Sequence, residues 1–298
     1  MMDIYKRSLF LFCKYILHDA KGRSKGKVEE IFYIFISLLK NLVYNKTGYI
    51  LLGKDSKNKE SFMGYDFKGR VRYSEIDENG CLTLPGILDY YQDCCTFQSE
   101  SIGQGMNVLE ERKRAWVLSS WQIVVKRYPK MGESIISTTA PYGFKGFLGM
   151  RNFTLKTEEG ESLSWANSIW TNISTETGLP ARLTDEDVRG YVLDEKLDME
   201  YAPRKIALPR DMVQEEAFVI QKHHLDTHHH VNNGQYIRMA ADYLPEGFVI
   251  RQMRAEYKKQ ALLGNVFYPN VKQETGVVTV ALSDENGEPY AVVEFTEA

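Results

Sequence analysis

The stretch Leu225-Asp226-Thr227-His228-His229-His230-Val231-Asn232-Asn233-Gly234-Gln235-Tyr236 decides how the rest of the chain is organised. It places one carboxylate and three imidazoles directly before an Asn-Asn-Gly sequence that is typical of a helix start. Unpaired backbone amides and the positive end of a helix dipole would then lie beside titratable side chains. The pattern predicts a site at which negative charge can form and be held.

The surroundings of this stretch favour a site over a solvated histidine-rich loop. Five of the six histidines lie within residues 223–230. A short apolar strand is predicted before them at 217–220, and apolar residues recur at helical spacing after them until Pro245 and Gly247. A polar segment between a buried strand and a buried helix is a candidate functional site.

Composition narrows the class of protein. The chain has 298 residues, 43% hydrophobic and 26% charged, which is typical of a soluble globular protein long enough for two domains. Its four cysteines show no metal-ligand spacing and suit a reducing cytoplasm. Residues 1–62 hold 12 basic and 6 acidic residues, so the remainder is acidic. An acidic body argues against nucleic acid as a partner.

Residues 1–62 have a different character from the rest. Their apolar run at 31–39 is shorter than the roughly 20 residues that a membrane span requires. Three interpretations stay open: an extension outside the working protein, a basic amphipathic segment that contacts a membrane or a partner, or a packed accessory helix.

From residue 64 the pattern becomes regular. A strand is predicted at 67–73, a turn at 77–80 and a long helix from Thr83 to Gly103, with Pro85 in its first turn. Four strands rich in β-branched and aromatic residues follow in what we expect to be an antiparallel meander, at 116–128, 134–140, 149–157 and 163–173. A connection comes next, with a short helix expected after Thr184.

The second half repeats the order of the first. A strand, a turn, a helix at 233–244 and four further strands follow the connection, and the strands lie at 248–259, 266–271, 277–282 and 290–295. We therefore predict an α+β fold with two copies of one unit, each a long central helix wrapped by an antiparallel β-sheet. The predicted boundaries are 1–62 for the extension, 63–182 and 214–298 for the two copies, and 183–213 for the linker.

Three segments of the chain resemble the acyl-ACP thioesterases over residues 64–297. These segments are Asp226-x-His228-x-His230-Val231-Asn232-Asn233, Glu256-Tyr257-Lys258-Lys259, and Trp165-Ala166 with Thr177-Gly178-Leu179-Pro180-Ala181-Arg182-Leu183. The resemblance implies a tandem hotdog fold. It also implies hydrolysis of the thioester of fatty acyl-acyl carrier protein, which ends fatty acid synthesis by releasing a free fatty acid. The implied partner is acyl carrier protein with a phosphopantetheine-linked acyl chain.

The resemblance also assigns roles to individual residues. Asp226 and His230 match the family's catalytic Asp and His, while His228 stands where the family usually has Asn. Gln260 and Ala261 stand where plant members have Glu and Cys, which makes a cysteine nucleophile untenable and leaves the general base open. Gln260 could still orient a water by its amide.

Substrate contacts are expected from both copies. Asn232 and Asn233 begin the second helix, whose amides could receive the oxyanion. Trp116 and Trp121 could line an acyl tunnel in the first copy, although ordinary core packing explains them as well. No cofactor and no metal is required.

Several alternatives stay open. An acyl-CoA thioesterase could use the same fold, and a protein could bind acyl thioesters without turnover. His228 and His230 could instead ligate a metal, because imidazoles two residues apart on an extended segment can do so. His223, His224 and His229 are expected at a strand end or in solvent, and a homodimer is left open.

Overall fold

A computed structural model of the chain describes residues 64–298, so the predictions for residues 1–62 lie outside the described part. Three α-helices are present in this part: α1 (Leu84–Ser101), α2 (Met106–Glu111) and α3 (Asn233–Ala241). The strands are β1 (Tyr65–Arg70), β2 (Arg114–Val125), β3 (Ser134–Lys145), β4 (Leu148–Thr157), β5 (Ser162–Ser174), β6 (Val213–Gln214), β7 (Phe218–Val219), β8 (Ile250–Tyr257), β9 (Val266–Glu274), β10 (Val277–Ser283) and β11 (Pro289–Glu297).

One antiparallel sheet of eleven strands runs through residues 64–298. Its order is β1-β3-β4-β5-β2-β8-β11-β10-β9-β6, and β7 pairs with β9 off this path. The two halves of the sheet join where β2 pairs with β8, from Ser120 opposite Glu256 to Val124 opposite Gln252. The predicted α+β architecture, in which helices lie against one large antiparallel sheet, is confirmed.

The predicted meander was wrong at its first strand. β2 lies between β5 and β8 in the centre of the sheet, and β3 pairs with β1 instead. The loop after β2 explains this placement, because Gly132 donates to the carbonyl of Val71 at 2.9 Å and the Glu133 carbonyl accepts from Val71 at 3.0 Å. These bonds guide β3 into the sheet beside β1. Strands β3, β4 and β5 do form a meander.

The helices differ in length. α1 has 18 residues, with the Thr83 hydroxyl accepting from Gly86 as its N-cap. α3 has only 9 residues and ends at Ala241, three residues before the predicted end at 244. Pro245 and Gly247 follow at once, and turns at 242–244 end the helix before them. The second copy therefore has a short central helix.

Both copies share a single apolar core. Within the described residues, side chains from α1, α3 and the strands around them form one buried cluster. Its largest fully buried members include Trp121, Tyr91, Phe153, Phe267 and Phe295. The helices pack on the same face of the sheet, so the sheet also has an outer face, which turns away from them.

The predicted linker crosses this outer face. We call residues 194–214 the strap. Its backbone bonds to side chains that alternate with core residues on successive strands: Asn152 on β4, Gln122 on β2, and Arg254 and Glu256 on β8. The strap ends in β6, which pairs with β9. The strap thereby gives these four outer-face side chains hydrogen-bond partners within the protein.

The short helix expected after Thr184 was wrong. The backbone N–H and the hydroxyl of Thr184 both donate to Asp187 Oδ2 at 2.8 Å, and residues 185–190 form turns. A hydroxyl that binds the chain three residues on favours a turn as readily as a helix start. The predicted boundaries at 63–182, 183–213 and 214–298 stay a prediction. In residues 64–298, each helix is too short or too polar to cross a bilayer.

Candidate active site

The candidate site is built on a tight turn at residues 226–230. Asp226 Oδ1 accepts two backbone bonds, from His228 N at 2.8 Å and from His230 N at 3.1 Å. The backbone N–H of Asp226 donates to the carbonyl of His230 at 2.8 Å. One carboxylate oxygen therefore fixes the shape of the segment that carries the histidines.

The same turn occurs in the first copy. Asp77 Oδ1 accepts from Asn79 N at 2.9 Å and from Cys81 N at 3.0 Å, and Asp77 N donates to Cys81 O at 2.8 Å. Asp284 makes the equivalent pair of bonds in the turn between β10 and β11. Forming the turn is thus a general use of aspartate in this chain. The oxygen left for chemistry at Asp226 is Oδ2.

Pairing across the turn brings Asp226 and His230 together. Leu225 pairs with Val231 in an isolated bridge, so the next residues, Asp226 and His230, stand directly opposite each other. Opposed residues of an antiparallel pair project their side chains from the same face. Val231 is buried in the core, whereas Asp226 and His230 are half-buried. Asp226 and His230 are therefore neighbours at the edge of the core, and the Asp226 carboxylate turns one oxygen back to the amides of the turn.

Helix α3 begins directly after this turn. Asn232 is its N-cap, and its Oδ1 accepts from Gly234 N at 2.8 Å. Gln235 N donates to Asn232 O at 2.9 Å. In residues 64–298, the backbone N–H of Asn233 has no acceptor, so it is the amide of the first turn that can receive an oxyanion. The Asn233 carbonyl accepts from the Tyr257 hydroxyl at 3.0 Å, which fixes the helix start.

Gln260 lies beside the turn on the next segment of chain. Leu262 bridges His230, and the carbonyl of Ala261 accepts from Val231 N at 2.9 Å. Continuing this register places Gln260 opposite Asn232, on the same side as His230. Gln260 is exposed, whereas Ala261 is buried and donates to the Tyr236 hydroxyl at 3.1 Å. Of the residues predicted to be catalytic, Asp226, His230 and Gln260 thus lie around one turn. The predicted substrate-binding residue Asn232 lies beside them, and the roles of all four stay predictions.

The other histidines lie around this group. His228 is exposed, and its backbone, not its ring, is what binds Asp226. His223 and His224 form a 3₁₀ turn with their rings 4.0 Å apart, and His224 Nδ1 accepts from Gln221 N at 3.1 Å. Burial, and then the neighbouring His223, lowers the pKa of His224. His224 therefore favours the neutral form in which Nδ1 can accept a bond.

The two tryptophans lie apart from the turn. Trp121 is 2% exposed and packs between Tyr91 and Phe153, with ring centroids 6.2 and 4.9 Å away. Trp116 packs on Phe144 at 6.2 Å near the far end of β2. The structure places Trp121 in the first copy's core, and substrate contact by either tryptophan stays a prediction. The indole N–H of Trp121 has no partner among the described residues.

The sequence analysis assigned no role to three residues at the site. Tyr236 and Tyr257 bind backbone on either side of the turn, and burial raises the pKa of both hydroxyls. Asp89 on α1 also reaches the start of α3. Aligning the two copies would have shown that Asp89 and Arg238 occupy equivalent positions. In residues 64–298, no three His, Cys, Asp or Glu side chains are grouped to hold a metal ion.

Two helices on one face of a continuous antiparallel sheet define a protein of the double hotdog class. Residues 63–191 match the family model of the acyl-ACP thioesterase N-terminal domain. The predicted resemblance to the acyl-ACP thioesterase family is confirmed.

Known relatives are similar at low identity. A palmitoyl-acyl carrier protein thioesterase of Arabidopsis thaliana is 23% identical over 208 residues, covering 64% of this chain and 50% of its own. A dodecanoyl-acyl carrier protein hydrolase of Cinnamomum camphora is also 23% identical, covering 66% of this chain and 56% of its own. The chain thus spans about half the length of the curated relatives it matches.

Solved structures confirm the fold. An acyl-ACP thioesterase from Bacteroides thetaiotaomicron superposes with a TM-score of 0.72 at 21% identity, covering 78% of this chain and 97% of that one. A 12:0-ACP thioesterase from Umbellularia californica superposes with a TM-score of 0.70 at 17% identity, covering 80% and 99%. At these identities the likeness is one of fold.

Proposed function

We propose that this chain hydrolyses the thioester of fatty acyl-acyl carrier protein and releases a free fatty acid in the cytoplasm, which ends fatty acid synthesis. One observation carries the proposal: the turn at 226–230 holds Asp226 opposite His230, directly before the free N–H of Asn233. The match of residues 63–191 to a thioesterase domain supports the same reaction.

The chemistry follows from these groups. A thioester carbonyl oxygen placed at the Asn233 N–H would become negatively charged where a helix start stabilises negative charge. His230 supplies an imidazole that can accept and donate a proton, including to the departing sulfur. Asp226 holds the turn by Oδ1 and has Oδ2 left for His230 or for a water. Gln260 can orient the water by its amide.

The carrier protein is acidic, so its binding needs a local basic surface. Five basic residues beside β2 and β8 are candidates for this surface: Lys126, Arg127, Lys130, Lys258 and Lys259. Arg127 is engaged by Glu133 and Glu161, and Lys259 by Asp284. Lys258 lies 3.9 Å from Glu256. Lys126 and Lys130 are exposed on the first copy and are the better candidates for contact with the carrier.

Thiol release tests the proposal. Purified protein would be given one acyl chain on acyl carrier protein and on CoA, across several chain lengths. We expect release with a preference for the carrier-bound substrate. A preference for CoA would favour the acyl-CoA thioesterase alternative, and binding of acyl thioesters without thiol release would favour the alternative of a protein that binds without turnover.

Two substitutions test the assigned groups. Asp226→Asn keeps the Oδ1 acceptor and removes the charge, and His230→Ala removes the imidazole. Each should lower turnover by at least about 100-fold, with the fold intact by circular dichroism. Asp77→Asn is the matched control, because it changes the same turn in the first copy. Near-normal turnover in Asp226→Asn or His230→Ala would refute the assignment.

A further inference from the structure

The two central helices meet at equivalent positions. Asp77 and Asp226 begin equivalent turns 149 residues apart, and the same spacing relates Asp89 on α1 to Arg238 on α3. Arg238 Nη2 lies 2.7 Å from Asp89 Oδ2. The pair therefore lies where the two copies contact each other through the same point of each helix.

The second oxygen of Asp89 points to the start of α3. A Cβ placed on Gly234 would lie 3.7 Å from Asp89 Oδ1 and 3.2 Å from the capping oxygen of Asn232. Both oxygens thus surround one point in the first turn of α3. Arg238, one turn further along α3, holds Oδ2 and leaves Oδ1 directed at this point. The neighbouring residue, Asn233, carries the free N–H.

An imidazole that protonates the departing sulfur must keep its proton during the attack, so a separate group has to accept the proton of the water. Asp226 Oδ1 is occupied by two backbone amides, and Gln260 cannot take a proton. Asp89 is half-exposed, with 50% of its side chain accessible, so a water or a substrate can reach it. It comes from the first copy, whereas the other site residues come from the second.

We propose that Asp89 is a further catalytic residue, the carboxylate that accepts a proton from the attacking water at the start of α3. The proposal rests on the proposed thioester hydrolysis. It makes the site a composite of both copies, with Arg238 as the positioning residue for the carboxylate.

The water oxygen forms a bond to the thioester carbon while one water proton moves to Asp89 Oδ1, and the carbonyl oxygen becomes an oxyanion at the Asn233 N–H. The carbon–sulfur bond then breaks, the carbonyl re-forms, and the imidazolium of His230 gives its proton to the thiolate. The proton on Asp89 returns to His230 through a second water. The products are a carboxylic acid and a thiol, and both side chains regain their initial protonation states.

The electrostatic surroundings suit this role. Partial burial between the helices raises the pKa of Asp89, and the nearby Asp93 and Glu75 raise it further, whereas Arg238 lowers it. A carboxylate with a raised pKa is a better base than an ordinary one. The Arg238 guanidinium favours the ionised form of the Asp89 carboxylate.

Three variants test the proposal with the full chain and an acyl carrier substrate. Asp89→Asn keeps an oxygen that can accept from Arg238 but cannot take a proton. This variant should lower kcat by about 100-fold or more with little change in KM. It should also remove the decrease in kcat/KM that the wild-type protein shows at acid pH, which is the acidic limb of its pH profile. Arg238→Gln should lower kcat less and move that limb to higher pH, because the cation that lowers the pKa of Asp89 is gone. Asp93→Asn, one turn further along α1, removes a carboxylate that raises the pKa of Asp89, so it should keep the wild-type rate and move the acidic limb only slightly, to lower pH.

The outcomes separate this proposal from the proposed function. A wild-type protein that releases no thiol would overturn the function and the role of Asp89 with it. Wild-type turnover with an equally active Asp89→Asn would overturn the role of Asp89 alone. Equal losses in Asp89→Asn and Arg238→Gln, with unchanged pH profiles and lowered thermal stability in both, would show that the ion pair is only structural.

Discussion

Replacing the strained residue in the candidate site should stabilise the fold by a measurable amount. His229 has φ of +61°, in the left-handed region, and the equivalent residue of the first copy is Gly80 with φ of +73°. A residue with a Cβ costs about 1–2 kcal/mol in this conformation. Glycine avoids that cost but loses about 0.5–1 kcal/mol more in conformational entropy on folding. His229→Gly should therefore stabilise the fold by a net amount of about 0.5–1 kcal/mol.

The change should be visible in thermal and urea unfolding. For a domain of this size, the gain corresponds to a rise in Tm of about 1–4 °C. The His229 side chain is exposed, so its removal leaves the backbone bond from His229 N to Asp226 O in place. Turnover should stay at the wild-type level, because His229 lies outside the proposed chemistry.

Gly80→His is the reciprocal control. A Cβ at Gly80 would meet no atom within 4 Å, so only the backbone conformation opposes the change. We expect it to destabilise the protein by about as much as His229→Gly stabilises it. If His229→Gly left the free energy of unfolding unchanged or lowered it while Gly80→His was neutral, the strain argument would be wrong.

Three further outcomes are expected. Asn232→Ala removes the N-cap of α3 and should cost about 1 kcal/mol in urea unfolding and also slow thiol release; unchanged stability would contradict the cap. Trp121→Ala should cost about 3–5 kcal/mol, because the indole fills the first copy's core, and a loss below 1 kcal/mol would place it outside the core. Arg127 lowers the pKa of Glu133, so the ion pair stabilises the protein above the ordinary pKa of that carboxyl and this contribution disappears as the pH falls through the lowered value. Arg127→Gln should therefore reduce stability at neutral pH and flatten its dependence on acid pH, as thermal melts across pH would measure.

The local parts of the fold could be predicted from the sequence, and the non-local parts could not. Thr83 and Asn232 cap helices that begin where the pattern placed them. The position of β2 in the sheet could not be predicted, because periodicity identifies a strand without identifying the strands that pair with it. The path of the strap could not be predicted either, since its hydrogen-bond partners, among them Gln122 and Asn152, lie on strands far away in sequence.

In the candidate site, too, the local features could be predicted from the sequence and the non-local ones could not. Asp226 and His230 are four residues apart, so a turn between them could be inferred, and Gln260 was found through the family resemblance. Asp89 was missed because it belongs to the other copy and reaches the site only once the helices pack. A composite site of this kind becomes visible from sequence when the two copies are aligned with each other.

The repeat also explains why only the second copy is expected to be catalytic. The bond from Leu82 N to Pro129 O corresponds to that from Val231 N to Ala261 O, so Tyr128 occupies the position of Gln260. The Tyr128 hydroxyl donates to the carbonyl of Ile250 at 2.9 Å, and burial raises its pKa. An anchored phenol ring therefore covers the space beside the first copy's turn, where Cys81 stands in place of an imidazole. At the equivalent position beside His230, the exposed side chain of Gln260 replaces the anchored ring, which favours the second turn over the first as the place where a thioester would bind.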